Sequence, residues 1–221
     1  MKTDWRDYLY SSITLSLATL ACLATGYTAD MLLQNVLPSF HALASAPIAL
    51  LSFGLSCAVQ ARILLKMHRL TPGTYSMSEQ VFTVWKLYSV LYYFGCGALK
   101  PFTIMFFRPL IQQIFGAQIG RDIALGGILV DPHLISIGNG AIIGEGSILA
   151  AHAITPGRII LAPIVIAPGA TVGVNAVVMP GTTIHAGAIL LAGAVATPNT
   201  TIPANEVWGG VPARPLPIRQ Q

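Results

Sequence analysis

An apolar residue occupies every sixth position of the chain from Ile142 to Trp208, and this spacing restricts the possible fold more than any other feature. The positions are Ile142, Ile148, Ile154, Ile160, Ile166, Val172, Val178, Ile184, Leu190, Ala196, Ile202 and Trp208. A period of six fits neither the helical period of 3.6 nor the strand period of 2. It is typical of hexapeptide β-solenoids, in which three hexads close a triangular coil of about eighteen residues. We therefore predict a mainly β protein with a parallel β-helix over residues 119–214, in which each coil is stabilised by its neighbours.

The hexad register slips near the middle of the repeat. Hexads in which an aliphatic residue precedes a small one begin at Ile119, Leu125, Asp131, Ile137, Ile143 and Leu149, and later at Ile166, Val172, Val178, Ile184 and Leu190. The interval from Leu149 to Ile166 falls a single position short of three whole hexads. A slip is tolerated where the chain leaves the coil, and Thr155-Pro156-Gly157-Arg158 has the composition of a turn. Because loops that leave a rigid repeat often carry function, we predict a functional loop there.

His152 lies just before this loop and is the candidate catalytic residue. Histidine titrates near neutral pH, which suits removal of a proton from a hydroxyl or amine. His133 lies about one coil earlier and is an accessory candidate, whereas His41, His68 and His185 are expected to be solvent-exposed. A three-histidine zinc site needs a close pair of histidines, but His133, His152 and His185 are separated from one another by more than a full coil. We therefore predict no metal site.

Two apolar runs precede the repeat, at Ile13–Leu33 and Ala42–Leu65. About twenty apolar residues cross a bilayer, so residues 1–70 are predicted to form a membrane-anchoring helical hairpin. A signal peptide fits the first run poorly, because Asp4 and Asp7 precede it and a second apolar run follows. Two buried helices of a soluble domain are the remaining alternative.

The cations around these runs predict their orientation. Lys2 and Arg6 precede the first run, three cations follow the second, and the loop between the runs has no Lys or Arg. The positive-inside rule then places both termini and the β-helix in the cytoplasm, with the hairpin in the inner membrane. This orientation gives the β-helix access to acyl-coenzyme A.

Residues 71–118 are predicted to form a helical linker rich in aromatic residues. The sequence TPGTY is expected to be a turn, and Ser76 or Ser78 is expected to cap the helix that follows. The helices either lie in the headgroup region or pack against the base of the solenoid, and residues 215–221 form a tail. The net charge of +4 is scattered, without the basic stripe that marks nucleic-acid binding.

Residues Ile119 to Arg214 resemble the hexapeptide-repeat acyltransferases, whose solenoid is a left-handed parallel β-helix. DPHLISIGNGAIIGEGSILAAH is similar to the segment that leads to the catalytic histidine of that family, APIVIAPGATVGVNAVVMPGTTI to the coils after its loop, and VWGGVPAR to its terminal signature near coenzyme A.

This resemblance implies acetyl-CoA or another acyl-CoA as the donor and His152 as the general base. It also implies that Ala192 and Thr197 contact the pantetheine arm, that Arg214 lies near the phosphates, and that the protein is a homotrimer with sites between subunits. Two features depart from the family: the loop after His152 is shorter than in the sugar acetyltransferases, and we expect no acidic residue beside His152 to orient it.

A second resemblance covers ARILLKMHRLTPGTYSMSEQVFTVWKLYSVL and FFRPLIQQIFGAQIGRDIAL. These segments are similar to the membrane and β-helix module at the C-terminal end of polylysine-type poly-amino-acid synthetases. The leading hypothesis is a membrane-anchored O-acetyltransferase acting on a hydroxyl of an envelope glycan or lipid-linked precursor. One alternative is an amide-forming condensing module with an amine acceptor, and another is a non-catalytic β-helical membrane scaffold.

Overall fold

A computed structural model describes residues 4–104 and 106–217, which form two compact units. The first unit contains the described residues up to Leu70 together with Ser78–Thr103. The second contains Thr71–Met77 and the described residues from Ile104 onward. The short segment Thr71–Met77 therefore interrupts the first unit in sequence while belonging to the second.

The first unit consists of three helices, α1 (Trp5–Leu33), α2 (His41–Met67) and α3 (Gln80–Leu99). Both α1 and α2 are long and apolar enough to cross a membrane. Helix α1 begins well before the predicted apolar run, and the Asp7 carboxylate accepts a 2.8 Å hydrogen bond from the Asp4 N–H at its first turn. An acidic side chain in this position satisfies a backbone donor that has no partner within the helix.

Polar side chains link α1 to α2 along their length. The hydroxyls of Thr25 and Ser52 are 2.6 Å apart, and the Gln60 amide donates to the Thr14 carbonyl at 3.1 Å. At the connection between the helices, His41 Nδ1 lies 2.6 Å from Asp30 Oδ1. The expectation that His41 is simply solvated is therefore wrong, because it begins α2 and pairs with a carboxylate of α1.

Helix α3 packs on α1 and α2 and carries most of the buried aromatic side chains of this unit, including Phe82 and Tyr88. The approach to α2 is close, since a Cβ added at Gly54 would lie 2.4 Å from Leu99 Cγ. The predicted serine caps are wrong, because Glu79 is the N-cap of α3. A buried ion pair between Lys86 and Asp7 joins α3 to α1.

The second unit is a parallel β-solenoid of about five turns, as expected for a left-handed β-helix. Its first face contains β2 (Gln118–Ile119), β5 (Ile135–Ile137), β10 (Ile164–Ile166), β13 (Thr183–Ile184) and β16 (Thr201–Ile202). Its second face contains β3 (Ala124–Leu125), β6 (Ile142–Ile143), β11 (Thr171–Val172), β14 (Ile189–Leu190) and β17 (Val207–Gly209), with β18 (Arg214–Leu216) antiparallel at the end. Its third face contains β4 (Ile128–Val130), β7 (Ile148–Ala150), β12 (Val177–Val178) and β15 (Val195–Ala196).

The short helix α4 (Arg108–Ile114) packs against the start of this solenoid near β2. Ile111 and the adjoining Phe115 are buried, and the Arg108 guanidinium donates to Glu145 Oε2 at 3.0 Å. Packing against the base of the solenoid, one of the two predicted alternatives for the linker helices, therefore describes α4. Helix α3 instead completes the helical unit.

The inward-facing residues follow the slipped register and not the unbroken six-residue series. Ile143, Leu149, Val172 and Val178 are buried, whereas Ile142 and Ile148 are 49% and 38% exposed. The series that runs from Ile142 therefore starts on the outer surface and moves inside only at Ile166, after the slip. The first coil departs from the hexad frame, in which Asp131 would be the inward residue after Leu125. The inward residue of β4 is Leu129 instead, and Asp131 lies in the corner that follows this strand.

The slip is accommodated by a β-hairpin formed by β8 (His152–Thr155) and β9 (Arg158–Leu161). Its turn places Pro156 before Gly157, which has a φ of +78°. This order suits a type II turn, whose third residue requires a positive φ. The predicted departure from the coil at Thr155–Arg158 is thus confirmed. The expected turn at TPGTY is wrong, because β1 (Gly73–Ser76) pairs antiparallel with β9.

Candidate active site

The candidate active site lies at the corner where each coil passes from the third face to the first. In the first coil this corner contains Asp131, between β4 and β5, and in the next coil it contains His152, which begins the hairpin after β7. Thr197 occupies the same corner two coils further on, directly after β15. The first two coils therefore stack Asp131 and His152, which are far apart in the sequence, at one corner.

Asp131 and His152 form a direct pair. Asp131 Oδ2 lies 2.5 Å from His152 Nδ1, and their side chains are 3% and 20% exposed. Asp131 adopts a left-handed backbone conformation with a φ of +61°, a conformation that Asp tolerates better than most residues. The pair contradicts the expectation that His152 lacks an acidic neighbour, since its carboxylate comes from the preceding coil.

The chemistry of the pair follows from the atoms in contact. An ionised carboxylate only accepts hydrogen bonds, so in this pair Nδ1 of His152 carries the hydrogen and donates a hydrogen bond to Asp131 Oδ2. The lone pair then resides on Nε2, and the imidazole can accept a second proton at that atom. The carboxylate fixes the ring and stabilises the imidazolium that would form, as expected of the third member of a nucleophile–base–acid arrangement.

Asp131 was missed from the sequence, although a signal was present. The hexad frame placed this residue at a position otherwise occupied by aliphatic side chains. A charged group is rarely buried without a partner, so a carboxylate in the frame of a solenoid core predicts a nearby donor. With coils of about eighteen residues, His152 is within reach from the next coil.

His133 lies on a 3₁₀ turn, Pro132–Leu134, immediately after Asp131. Burial lowers the pKa of His133 to about 4, and the nearby Asp131 carboxylate opposes this shift. His133 is therefore neutral at pH 7. Because His133 lies two residues after Asp131 on this turn and is not the residue paired with its carboxylate, its accessory role stays a prediction.

The other predicted site residues occupy different parts of the coil. Ala192 is exposed at the corner between the second and third faces, after β14. Arg214 is exposed at the start of β18 on the second face, where it pairs with Gly209. Within one chain, only Thr197 shares the corner of His152. His68 and His185 are exposed as expected, and residues 4–104 and 106–217 contain no cluster of three metal-ligating side chains.

Comparison with known proteins found structural similarity only. No protein-family model matches the chain, and no curated protein matches it. Among solved structures, the chain is similar to a hexapeptide-repeat acetyltransferase from Vibrio cholerae O1 biovar eltor complexed with acetyl coenzyme A, with 26% identity and a TM-score of 0.43. That alignment covers 46% of this chain and 60% of the Vibrio protein.

The chain is also similar to a maltose O-acetyltransferase from Clostridium difficile 630, with 16% identity, a TM-score of 0.47 and coverage of 71% of this chain and 95% of that one. For a galactoside acetyltransferase in complex with coenzyme A, the identity is 18%, the TM-score 0.41 and the coverage 74% and 82%, respectively. Because these TM-scores are all below 0.5, the similar structures do not identify the reaction, and we infer the reaction from the residues of this chain.

Proposed function

We propose that this protein is a membrane-anchored acyltransferase that moves an acyl group, most simply acetyl, from acyl-CoA to a hydroxyl of an envelope glycan or lipid-linked precursor. The observation that supports this proposal is the Asp131–His152 pair. A buried carboxylate is costly in a solenoid built from aliphatic side chains. The presence of the Asp131 carboxylate is accounted for if its role is to hold His152, the general base, in one tautomer.

In the proposed reaction, His152 Nε2 removes the proton from the acceptor hydroxyl as its oxygen attacks the thioester carbonyl carbon of the acyl-CoA. A C–O bond forms, the C–S bond breaks, and the proton on Nε2 passes to the departing thiolate. Throughout this cycle Nδ1 keeps its proton and its hydrogen bond to Asp131. The carboxylate stabilises the positive charge on the ring without itself becoming protonated.

Coenzyme A supplies the activated acyl group, and the chain offers a reasonable set of groups to hold it. The Arg214 guanidinium is exposed and forms no ion pair within the described part of the chain, so it is free to bind phosphate groups. We assign the backbone near Ala192 and Thr197 to the pantetheine arm. These assignments follow the resemblance noted in the sequence.

We assign α1 and α2 to the membrane. Large apolar side chains on their surface are exposed, among them Leu20 at 61%, Leu23 at 63% and Leu43 at 74%. Such surfaces are stable in lipid and unfavourable in water. The cations at the ends of the two helices favour an inner-membrane protein with a cytoplasmic β-helix.

We also propose a homotrimer with each site between two subunits. The outward residues Ile128, Ile142 and Ile148 on the second and third faces are 56%, 49% and 38% exposed, and Val165 on the first face is 38% exposed. Aliphatic faces of this kind favour burial against a second copy of the chain. In such an assembly Arg214 of one subunit binds the phosphates of the same acyl-CoA whose acyl group is transferred at His152 of the adjacent subunit.

The experiment that tests the proposed function compares the full-length wild-type protein with His152→Ala and with His185→Ala, a control at an exposed histidine. Acetyl transfer from radiolabelled acetyl-CoA to isolated glycan and lipid fractions should be abolished only in His152→Ala. Binding of coenzyme A should persist in both variants. Transfer to amines without any need for coenzyme A would instead support the condensing module, and absence of both binding and transfer would support the scaffold.

A further inference from the structure

The helical unit contains a cleft where the ends of its three helices meet. This cleft has a volume of about 690 Å³, and its lining includes Arg6 near the start of α1, His68 at the end of α2 and Gln80 at the start of α3. A smaller cleft of about 300 Å³ adjoins it, because His68, Gln80 and Val84 line both. We call the two together the terminal cleft. All of its lining residues belong to the helical unit.

Two arginines of the terminal cleft are available to a ligand. Arg6 and Arg69 are exposed, and neither forms an ion pair with any residue in 4–104 or 106–217. The guanidinium carbon of Arg6 lies 5.8 Å from the centre of the neighbouring Trp5 ring, a contact that leaves the N–H groups of Arg6 accessible. Because a guanidinium presents several N–H donors to phosphate oxygens, this cleft is suited to a phosphate group.

The charges of the lining favour a ligand with one net negative charge. Arg6 and Arg69 are the basic side chains, apart from His68, and Asp4 is the acidic one among the described residues that line the cleft. The arginines therefore outnumber the carboxyl group by one. A phosphodiester with an otherwise uncharged head group matches this excess, whereas a zwitterionic head group, which adds an ammonium, does not.

The polarity of the terminal cleft changes with depth in the same order as that of a phospholipid. His68 and Gln80 lie at the ends of their helices, whereas Leu64 and Leu87 line the cleft further along α2 and α3. At about 1.5 Å per residue, Leu64 lies roughly 6 Å inward of His68, and Leu87 roughly 10 Å inward of Gln80. A phospholipid likewise places its head group outside and its hydrocarbon inside the bilayer.

We propose that the terminal cleft binds an anionic phospholipid, whose phosphate is held by Arg6 and Arg69 and whose acyl chains begin along Leu64 and Leu87. The positive-inside rule places these helix ends at the cytoplasmic surface, where anionic lipids attract basic segments. The lipid would stabilise the helical unit, because it binds the folded state. This assignment rests on the proposed membrane placement of α1 and α2 and is independent of the proposed acyl transfer.

Arg62→Gln is the matched control for the two arginines. Arg62 is an exposed cation on α2 that lines neither part of the terminal cleft. The full-length wild type, Arg6→Gln, Arg69→Gln, the double variant and Arg62→Gln are extracted from membranes into a neutral detergent and checked by circular dichroism. Isothermal titration calorimetry then gives their dissociation constants for dioctanoyl phosphatidylglycerol, for dioctanoyl phosphatidylcholine and for glycerol phosphate, which has no acyl chain.

Wild-type protein should bind the phosphatidylglycerol at least about fivefold more tightly than the phosphatidylcholine, as expected for one unmatched cation near a lipid head group. Arg6→Gln and Arg69→Gln should each weaken binding of the phosphatidylglycerol about fivefold, and the double variant should weaken it about thirtyfold. Arg62→Gln should bind as the wild type does. Glycerol phosphate should bind far more weakly to every variant, because it buries no hydrocarbon.

Equal weakening by Arg6→Gln, Arg69→Gln and Arg62→Gln would indicate a diffuse attraction to the surface and would overturn the site. Equal affinity for the two phospholipids, or for the phosphatidylglycerol and glycerol phosphate, would overturn the anionic lipid as its ligand. If detergent is nevertheless required to extract the protein, the proposed membrane placement stands after either result. A wild-type protein that remains soluble without detergent would overturn that placement and, with it, the lipid site.

Discussion

Asp131→Asn tests the role of the dyad because it removes charge while preserving shape. The wild-type carboxylate is 3% exposed and lies 2.5 Å from His152 Nδ1, so solvent screens it little. A hydrogen bond to a charged group contributes about 1.5–3 kcal/mol, and about 1.4 kcal/mol corresponds to a tenfold change in rate. We therefore expect kcat to fall roughly ten- to 150-fold.

The affinity for coenzyme A should not change, because the buried Asp131 side chain cannot reach a ligand. The assay is steady-state acetyl transfer with Asp131→Asn, His152→Ala and the double variant, each checked by circular dichroism for a retained fold. Residues that act as one unit give non-additive effects, so the double variant should be no slower than His152→Ala. A folded Asp131→Asn protein with wild-type kcat would refute a catalytic role for the pair.

Three further predictions concern stability. Burial lowers the pKa of His133 to about 4, whereas its pKa in the unfolded chain is about 6.5. Between these two pH values the unfolded state binds more protons than the folded state. The free energy of unfolding should therefore fall as the pH decreases from about 6.5 to about 4. His133→Phe should flatten this part of the melting-temperature profile, and an identical profile would contradict the assignment. Gly157 has a left-handed backbone conformation, so Gly157→Val should destabilise the hairpin by about 1–2 kcal/mol, the typical strain of a side chain there. Hydrogen exchange in β8 and β9 should accelerate in Gly157→Val and remain slow in Gly157→Asn, and equal rates would contradict the strain. Gly54→Ala meets Leu99 and should cost about 1–3 kcal/mol by overpacking. An alanine at Gly97, within α3, meets no atom, so Gly97→Ala should raise the melting temperature in detergent slightly, and equal effects of the two substitutions would contradict the packing described.

The sequence predicts the solenoid well because its signal is periodic and local. Each coil repeats the same contacts, so the six-residue spacing and its single slip locate both the β-helix and the hairpin at Thr155–Arg158. The slip also shows which frame faces inward, although the longest unbroken series, from Ile142, begins on the outer surface. An uninterrupted series of apolar residues is therefore weaker evidence of burial than the full pattern of each hexad.

Features that depend on distant pairing are not predictable in the same way. The local sequence of β1 predicts a turn, because the strand that supplies its hydrogen bonds, β9, lies far later in the chain. His41 reads as a loop residue because its partner, Asp30, belongs to the other helix. The role of Asp131 is not predictable from the hexad frame, because this frame assigns Asp131 to the core. In the structure Asp131 lies instead in the corner beside His152.

The central claim is that His152, oriented by Asp131, removes the proton from the acceptor during acyl transfer. It is tested most directly by single-turnover acetyl transfer from bound acetyl-CoA in the wild type and in His152→Ala, with coenzyme A binding measured on the same samples. We expect His152→Ala to bind acetyl-CoA as the wild type does and to transfer no acetyl group. Transfer at the wild-type rate by His152→Ala would contradict the claim.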